Sequence, residues 1–495
     1  MINKELENSI LDPIHGLIKM TKEEFKVISH PLFNRLRFIK QNTFLYNVFP
    51  SANHTRFEHS IGVMHLASEM FNNAFYNASV LHNKRDKYKL EKSNTIFEMT
   101  SENSHELMDS YYLLRLAALL HDIGHGPMSH LFDKFAPEKV EFLNVIRNDQ
   151  AIEFSDILVE KLDELITGQK VEHEHVSLYF SAIILSEIGI QVENIKKVLT
   201  IMNGKIELAD IKCNNMNITI FLHQIVAGAP LDCDRMDYLL RDSYFTGVKY
   251  GIYDLNRVLK SLLPFIHDNK LKLGIKKSGL PAIENFLQAR FGLFQQVYFH
   301  KTNQACNLML EKSTEELLDS AESFVKCSSV EEFKTSYLNL SDEKFLDLLE
   351  SKLEKDNLIT IKELRQRKLW KRLIEVYPED GANREEDIDA KLTEIEKLLN
   401  EKDQLRQGFY TKKVIVNRPL KDMNGTEAVL ISKDVDNNYN LVKDSNWIND
   451  SKIFKALSYK DIIGRIYLRV DSSGENEKES FRTLKREIFE KINLT

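Results

Sequence analysis

Apolar residues recur at helical spacing through most of the chain, and the densest example lies between Leu113 and Leu120. Arg115 is the only polar residue in that run, so the pattern predicts a buried helix. Gly124 and Gly126, followed by a proline, should end it. Side chains at the end of a buried helix hold defined positions, so this is a place to look for chemistry.

Before position 60 the pattern predicts two short helices and the start of a long one. We expect a break at Pro31, and a second helix that places Arg35, Arg37 and Lys40 along one positively charged side. A longer helix should begin near Arg56, after a loop that contains Pro, Ser and Asn.

Two polar segments interrupt the helical pattern in the first half of the chain. Residues 80–108 are rich in Lys, Glu, Asn and Ser, and we predict a solvent-exposed insertion there. Residues 136–172 predict helices joined by a second polar loop, which we treat as another insertion.

The second half of the chain changes character near position 408. Residues 268–280 alternate as in a strand or hairpin, and 282–310 predict one long helix. Residues 311 to about 404 are amphipathic and rich in charged residues, so they should be helical as well. Beyond 408, β-like runs separated by Asn, Asp and Gly predict strands, followed by a final helix.

The predicted fold class is therefore mainly α. We divide the chain into a core over residues 1–310, a helical extension over 311–407 and a small α+β lobe over 408–495.

Composition narrows the function classes. A hydrophobic content of 43% with 28% charged residues is typical of a soluble globular protein, and a net charge of −7 gives no reason to expect a nucleic-acid coat protein. No run of about 18 apolar residues predicts a membrane span, and the first residues carry no apolar signal segment. The four cysteines form no CxxC pair, so we expect neither a zinc ribbon nor a disulfide framework, and a cytoplasmic location.

A basic segment at 362–373 allows two interpretations. It could bind an anionic partner, nucleic acid included, or it could be the solvated face of a helix. The second interpretation is the commoner one for such a charge run.

Histidine is concentrated in the first half of the chain, where twelve of the fifteen precede residue 176. Separated segments supply His59, the pair His121 and Asp122, the pair His173 and Glu174, and Asp234. Two imidazoles and two carboxylates drawn from these residues would form a mixed ligand set that suits Mn, Fe, Co, Ni, Mg or Zn and leaves positions open for water and substrate. A closed structural zinc site would need thiolates. The alternative for His121 and Asp122 alone is a satisfied core histidine beside a helix-terminal aspartate.

Six motifs occur in order and together resemble those of HD-domain deoxynucleoside triphosphate triphosphohydrolases. They are DPIHG, RLRFIKQ, VFPSANHTRFEHSIGV, LLHDIGHGPMSHLFD, HEHVS and DCDRMDYLLRD, which span about residue 12 to residue 242. The resemblance extends to about residue 310 and more weakly into the C-terminal lobe. It implies an HD-type helical core and the cleavage of a dNTP into a deoxynucleoside and inorganic triphosphate.

The resemblance also implies roles for individual residues. His59, His121, Asp122 and Asp234 would hold a divalent metal ion. His130 with Asp133 would handle the leaving 5′ oxygen, His173 and Glu174 would form a proton relay, and His125 would contact phosphate. A histidine held by a carboxylate has the intermediate pKa that protonation of an alkoxide requires.

Substrate contacts are implied in the same way. The arginines at family phosphate positions are Arg56, Arg235 and Arg290, of which the second is a lysine in the animal enzyme. The residues that match the sugar pocket are Gln41, Tyr238, Asp242 and Tyr298. Asn42 departs from the family's leucine, and each arginine could otherwise be a surface ion pair.

Regulation follows the family less closely. Ser29 and Asn34 stand where animal members carry the aspartate and glutamine that recognise guanine nucleotide, and only Arg37 is retained. We therefore expect GTP-specific activation to be lost, whereas activation by a dNTP or another nucleotide stays open. Lys276, Lys277 and Lys301 could serve such a site or be solvated. A homo-oligomer (dimer, tetramer or hexamer) is implied.

Three functions remain open at this point. The first is a metal-dependent dNTP triphosphohydrolase that depletes or balances dNTPs, conceivably in antiphage defence. The second is an HD phosphohydrolase of another nucleotide, such as an alarmone or cyclic dinucleotide. The third is a nucleotide- or nucleic-acid-binding regulator with vestigial chemistry.

Overall fold

The computed structural model describes residues 6–87, 95–318, 324–377, 384–400, 409–416, 429–433, 439–441, 461–469 and 475–492. Most of these residues are helical, which confirms the predicted mainly α class. Within these ranges, no helix is both long enough and apolar enough to cross a membrane.

The helices form the bulk of the molecule. In chain order they are α1 Lys22–Ser29, α2 Pro31–Asn34, α3 Arg56–Lys87, α4 Ser104–Leu120, α5 Lys139–Arg147, α6 Ser155–Leu165, α7 His173–Glu187, α8 Val192–Met202, α9 Thr219–Ala227, α10 Cys233–Thr246, α11 Leu255–Leu259, α12 Leu280–Leu293, α13 Lys301–Leu318, α14 Val330–Leu338, α15 Asp342–Lys352, α16 Lys355–Arg365, α17 Arg384–Asn400 and α18 Glu475–Ile492.

The strands form three small sheets. They are β1 Asn8–Asp12, β2 Gly16–Met20, β3 Lys212–Cys213, β4 Met216–Asn217, β5 Leu262–His267, β6 Lys270–Lys276, β7 Lys371–Val376, β8 Phe409–Val416, β9 Val429–Lys433, β10 Tyr439–Leu441 and β11 Asp461–Leu468. β1 and β2 form a hairpin, β10-β9-β6-β4-β3 form a mixed sheet with β5 also paired to β6, and β7-β11-β8 form an antiparallel sheet.

The central helix α4 agrees with its sequence pattern. Every residue from Leu113 to Leu120 is buried, and the helix ends at Leu120. Arg115 is tolerated in this core because Glu24 of α1 accepts from its Nε at 2.6 Å and its Nη2 at 2.8 Å. A buried guanidinium is stable only when it is paired in this way.

The predicted break at Pro31 and the start of α3 at Arg56 are both confirmed. The predicted positively charged side is wrong. Arg35 is 4% exposed and donates to the backbone carbonyls of Ile123 and His125, so it holds the loop after α4. Burial lowers the pKa of Arg35 to about 10.

The two predicted insertions also differ from the structure. α3 continues to Lys87, and Phe97 is buried in the main core, so the described residues of 80–108 do not form one exposed polar segment. Residues 88–94 lie outside the described ranges. Within 136–172, α5 and α6 bury Phe142 and Leu158 fully. Both helices are amphipathic, and their apolar sides pack on the core where the polar residues had suggested a surface insertion.

The second half of the chain holds two further differences. The helix expected over 282–310 is divided, because α12 ends at Leu293, a π-helical turn covers Phe294–Tyr298 and α13 begins at Lys301. The region expected to be wholly helical contains the strand β7, which is partly buried and pairs with β11. The expected hairpin near 268–280 is confirmed as β5 and β6.

The predicted C-terminal α+β lobe is present, but its strands divide between two sheets. β8 and β11 pair with each other, whereas β9 pairs in parallel with β6 of the core. The basic segment at 362–373 ends α16 and enters β7, and its Arg365 pairs with Asp347 and Glu350. These ion pairs favour the solvated-face interpretation of that segment.

Candidate active site

Three packed helices bring the first group of predicted residues together. His59 lies in the first turn of α3, His121 follows α4, and Asp234 lies in the first turn of α10. Asp234 Oδ1 is 3.0 Å from His59 Nε2 and 3.6 Å from His121 Nε2. One ligand atom from each residue lies within 4.8 Å of the others, so the three could share a metal ion.

Asp122 completes this group. Its carboxylate oxygens lie 3.9 Å from His59 Nε2 and 3.6 Å from His121 Nε2. Arg56, one turn before His59, donates to the same carboxylate. The four residues that the resemblance implied as ligands therefore lie side by side.

The donor atoms fit a divalent ion. The Nε2 atoms of His59 and His121 are buried and have no hydrogen-bond partner among the described residues. Each ring uses its other nitrogen, since His59 Nδ1 donates to Asp237 at 2.8 Å and His121 Nδ1 donates to the Ala118 carbonyl at 2.9 Å. That pattern leaves both Nε2 lone pairs facing the carboxylates, as in metal-ligating histidines.

Electrostatics agree with this fit. Burial would lower the pKa of His59, but the carboxylates of Asp234 and Asp237 raise it to about 10. The pKa of Asp234 is held well below its usual range because His121 and His59 outweigh the effect of burial. The carboxylates thus create a negative local potential at the two Nε2 atoms, which favours a cation placed there.

Asp237 is a functional candidate that sequence reasoning missed. It is fully buried, and it accepts from His59, from His15 Nε2 at 2.7 Å and from Arg241 Nε at 2.8 Å. Arg241 Nη1 also donates to Asp12 Oδ2 at 2.8 Å, so a hydrogen bond connects the DPIHG segment to the buried side of the site. The signal was available in the spacing of Asp237 and Arg241, which stand four residues apart on α10.

Gly62 shows how closely these groups pack. A Cβ at this position of α3 would lie 2.0 Å from Asp237 Oδ1 and 2.4 Å from Arg241 Nη2. Only glycine lets α3 approach the buried carboxylate and guanidinium this closely.

A second cluster adjoins the first and contains histidines and one aspartate. Asp133 Oδ2 lies 3.1 Å from His173 Nδ1 and 3.5 Å from His130 Nδ1. Burial would raise the pKa of Asp133, but hydrogen bonds from His130 and His173 lower it to about 2. Asp133 therefore stays ionised at neutral pH and can stabilise either neighbouring ring as an imidazolium.

His125 connects the two clusters. Its Nε2 lies 3.6 Å from Asp122 Oδ1, and its ring stacks on His173 with centroids 3.7 Å apart. Burial and the nearby Arg56 lower the pKa of His125 well below its usual value, so it is neutral. Glu174 lines the same cavity with an exposed side chain.

The backbone that carries His130 is held from outside the HD motif. Met128 and Ser129 both adopt left-handed conformations, with φ of 59° and 54°, which cost energy for residues other than glycine. Asp342, in the first turn of α15, accepts from Met128 N and from Lys40 N, each at 2.8 Å. Asp342 is 4% exposed and was not singled out in the sequence.

The predicted phosphate-binding arginines are already engaged by protein groups. Arg56 donates to Asp122 and, at 2.7 Å, to Ser129 Oγ. Arg235 donates to Asp232 and to the Gly228 carbonyl. Arg290 is 6% exposed and lies over the Phe294 ring, 5.3 Å from its centroid.

The predicted sugar residues form a compact group. Asp242 is 1% exposed and accepts from Tyr298 OH at 2.5 Å and from His54 Nε2 at 2.6 Å. The rings of Tyr238 and Tyr298 meet edge to face, 6.4 Å apart. Burial raises the pKa of Tyr298 well above its usual value, so the phenol stays neutral and donates. His54 was not predicted.

A cavity of about 1130 Å³ opens over the metal-ligand group and the histidine cluster. Its size suits a nucleotide. The predicted residues that line it are Gln41, Arg56, His121, Asp122, His125, His130, His173, Glu174, Asp234, Arg235 and Tyr238. The remaining predicted residues are not part of the cavity lining: His59, Asp133, Asp242, Arg290 and Tyr298.

Comparison with known proteins shows which proteins the chain resembles. Residues 253–450 match the family model described as HD associated region. The chain is 30% identical over 353 residues to an uncharacterized protein of Methanocaldococcus jannaschii, an alignment that covers 71% of this chain and 59% of the relative. It is 28% identical over 375 residues to a Dictyostelium discoideum protein named as a deoxynucleoside triphosphate triphosphohydrolase, which covers 74% of this chain and 60% of the relative.

The fold is also found in a crystal structure of a hypothetical protein from Aquifex aeolicus. The TM-score is 0.58 at 24% identity, with 99% of this chain and 100% of the other covered. The chain spans about three fifths of the length of the two curated relatives above. The motifs, the helical fold and these relatives agree, and together they support the HD-domain deoxynucleoside triphosphate triphosphohydrolase family as the one that this chain resembles.

Proposed function

We propose that this protein is a metal-dependent triphosphohydrolase that converts a dNTP and water into a deoxynucleoside and inorganic triphosphate. The observation that carries the proposal is the convergence of two unpartnered histidine Nε2 atoms on Asp234, directly beside the cluster of His130, Asp133 and His173. The first group can hold a cation at a phosphate, and the second can donate a proton.

His59, His121, Asp122 and Asp234 would hold the metal ion. A divalent ion there supplies Lewis acidity toward a phosphoryl oxygen and toward water. Its identity among Mn, Mg, Fe, Co, Ni and Zn is not specified by a mixed nitrogen and oxygen ligand set.

Arg56 and Arg235 would bind phosphate oxygens at the cavity wall. Both guanidinium groups are paired with a carboxylate, which holds them in place before substrate arrives. Arg290, which lies over the Phe294 ring, would add a third positive charge.

His130 would protonate the 5′ oxygen as the bond to the α-phosphorus breaks. Its side chain is 75% exposed, so it can meet a substrate in the cavity, and Asp133 orients it. His173 shares the same carboxylate and can return a proton to the pair, with Glu174 at the solvent side. His125, neutral and between the clusters, would contact phosphate.

Asp242, Tyr238, Tyr298 and Gln41 would bind the deoxyribose. Asp242 can accept from a 3′-hydroxyl with the oxygen lone pairs that His54 and Tyr298 leave unused. Tyr298, held by that carboxylate, would crowd a 2′-hydroxyl and so exclude ribonucleotides.

Regulation by nucleotide and assembly into a homo-oligomer belong to the proposal through the family resemblance. GTP-specific activation does not, because Ser29 and Asn34 replace the guanine-recognising pair. Arg37 donates to Asn34 at 3.1 Å and stacks on Phe57, which are contacts within the chain. A cytoplasmic role in dNTP depletion, antiphage defence included, fits this chemistry.

The test is product analysis with Mn²⁺ or Mg²⁺. Each dNTP is supplied singly and then all four are mixed, and an alarmone and a cyclic dinucleotide are supplied in parallel. Deoxynucleoside plus triphosphate supports the proposal, and turnover only in the mixture supports nucleotide activation. Hydrolysis of only the alarmone or only the cyclic dinucleotide would show that this nucleotide, and not a dNTP, is the substrate of the site. Metal binding without turnover of any nucleotide would favour a regulator.

A further inference from the structure

The backbone directly after Tyr298 is held by side chains of the C-terminal lobe. The π-helical turn ends at Tyr298 and α13 begins at Lys301, so the residues between them lie outside both helices. π-helical turns are rare and occur often at functional sites. Here the turn places the one tyrosine that bonds Asp242.

Two residues of β11 bind this junction from the same side. Arg465 Nη1 donates to the Phe299 carbonyl at 2.6 Å, and Tyr467 OH donates to the Lys301 carbonyl at 3.0 Å. Arg465 is 6% exposed and Tyr467 is fully buried. The two contacts hold the chain on both sides of residue 300.

Arg465 is itself fixed. Its Nε donates to Glu375 of β7, which lies opposite it in the three-stranded sheet. A planar guanidinium that is paired on one edge has little freedom to move on the other. The position of the Phe299 carbonyl is therefore set by the sheet and not by the helix hydrogen bonds alone.

Further hydrogen bonds restrict the backbone conformation at this junction. The Tyr298 carbonyl accepts from Asn303 Nδ2 at 3.0 Å and from Gln304 Nε2 at 2.9 Å, both in α13. The next peptide is held through the Phe299 carbonyl, which accepts from Arg465. Side chains therefore hold both peptides that follow Tyr298, and loss of either contact would loosen the backbone that keeps the Tyr298 ring against Asp242.

We propose that Arg465 is a positioning residue for Tyr298, so that the C-terminal lobe determines how strictly the sugar pocket distinguishes deoxyribose from ribose. This inference rests on the proposed function for its substrate class. A merely structural role would predict lost stability without altered discrimination.

The test compares Arg465→Gln with Arg469→Gln. Arg469 lies in the same lobe, four residues on, and pairs with Glu363 at 2.8 Å without contacting the junction. For each protein, kcat/KM is measured with a dNTP and with the matching ribonucleotide. We expect the deoxy preference to fall about tenfold in Arg465→Gln, as when a pocket loses a well-placed group. The deoxy preference of Arg465→Gln should approach that of Tyr298→Ala. The deoxy preference of Arg469→Gln should equal that of the wild type.

Hydrogen exchange of the peptide over residues 294–304 in the ligand-free protein gives a readout that needs no turnover. Exchange should be faster in Arg465→Gln only. If the wild type hydrolyses no dNTP, the proposed function fails, and the deoxy preference is then taken from nucleotide affinities. A folded Arg465→Gln protein with unchanged preference overturns the inference. If that variant does not fold, Arg465→Lys, which keeps a charge beside Glu375 without the second donor edge, is measured in the same way.

Discussion

The site has a metal end, which consists of His59, His121, Asp122 and Asp234, and an acid end, which consists of His130, Asp133 and His173. The two ends are built in different ways. At the metal end, the His59 side chain is fully buried and its ring is fixed by Asp237. At the acid end, the His130 side chain is 75% exposed and follows two left-handed residues in a short loop. Helix packing preorganises the first end, whereas a few hydrogen bonds position the second.

The charges of the two ends are complementary. The metal end carries the carboxylates Asp122, Asp234 and Asp237, of which Asp122 pairs with Arg56 and Asp237 with Arg241. The acid end has His130 and His173 around a single ionised Asp133. A divalent ion would bind the carboxylates of the metal end, and a phosphate group would meet the histidines of the acid end. Because His59 is buried and His130 is exposed, the acid end is the one that we expect substrate to order.

Removal of a metal ligand should have the largest effect. Asp234→Ala or His121→Ala should lose the bound metal and reduce turnover to background, because the remaining donors cannot complete the set. Metal content and rate are measured on the same sample. Asp109→Ala, which removes an exposed partner of His105 on α4, is the control. Turnover by a metal-free variant would refute the assignment of this end.

Removal of the acid should have the next largest effect. His130→Ala should keep metal and nucleotide binding but lose at least about 10²-fold in rate, the usual size of an acid–base contribution. Stopped-time product assays and equilibrium dialysis separate the two quantities. His105→Ala removes a similarly exposed histidine near the start of α4, outside the cavity lining, and should have no effect. An unchanged rate in His130→Ala would remove it from the mechanism.

Weakening the support of the metal end should have a smaller effect. Asp237→Asn should lower metal affinity about 10- to 100-fold, because the amide no longer fixes His59 as a carboxylate does. Chelator competition measures this affinity. If affinity is retained, helix packing alone holds His59, and the comparison between the two ends becomes sharper.

Weakening the support of the acid end should have the smallest effect. Each carboxylate oxygen of Asp342 accepts one backbone N–H group. In Asp342→Asn one of these oxygens becomes an amide NH₂, so one backbone N–H loses its acceptor. The free energy of unfolding should fall by about 1–3 kcal/mol. Asp347→Asn, on the same helix, breaks an exposed pair with Arg365 and should cost about 1 kcal/mol or less. Denaturant unfolding compares the two. Equal losses would mean that Asp342 does not hold the loop.

Much of the helical fold was predictable because its signals are local. The apolar run before His121, the break at Pro31 and the start of α3 depend on neighbouring residues, and all three are confirmed. The division of the helix expected over 282–310 was not predictable, because Arg465 and Tyr467 stabilise the junction from more than 160 positions away. β7 was missed for the same reason, since its partner β11 is distant in sequence.

The supporting residues of the site were missed for a related reason. His59, His121 and Asp234 stand in motifs that specify their chemistry. Asp237 and Asp342 act through several hydrogen bonds, most of them to residues distant in sequence. The spacing of Asp237 and Arg241 marks only their own pair on α10. The exposure of His130 and the burial of Arg35 likewise depend on packing that the sequence pattern does not contain.

The most direct test of the account is hydrolysis of a dNTP in ¹⁸O-labelled water. The account predicts one labelled oxygen in the inorganic triphosphate, an unlabelled deoxynucleoside, and neither product from Asp234→Ala. Label in the deoxynucleoside, or a nucleoside monophosphate with pyrophosphate as products, would contradict attack at the α-phosphorus with departure of the 5′ oxygen.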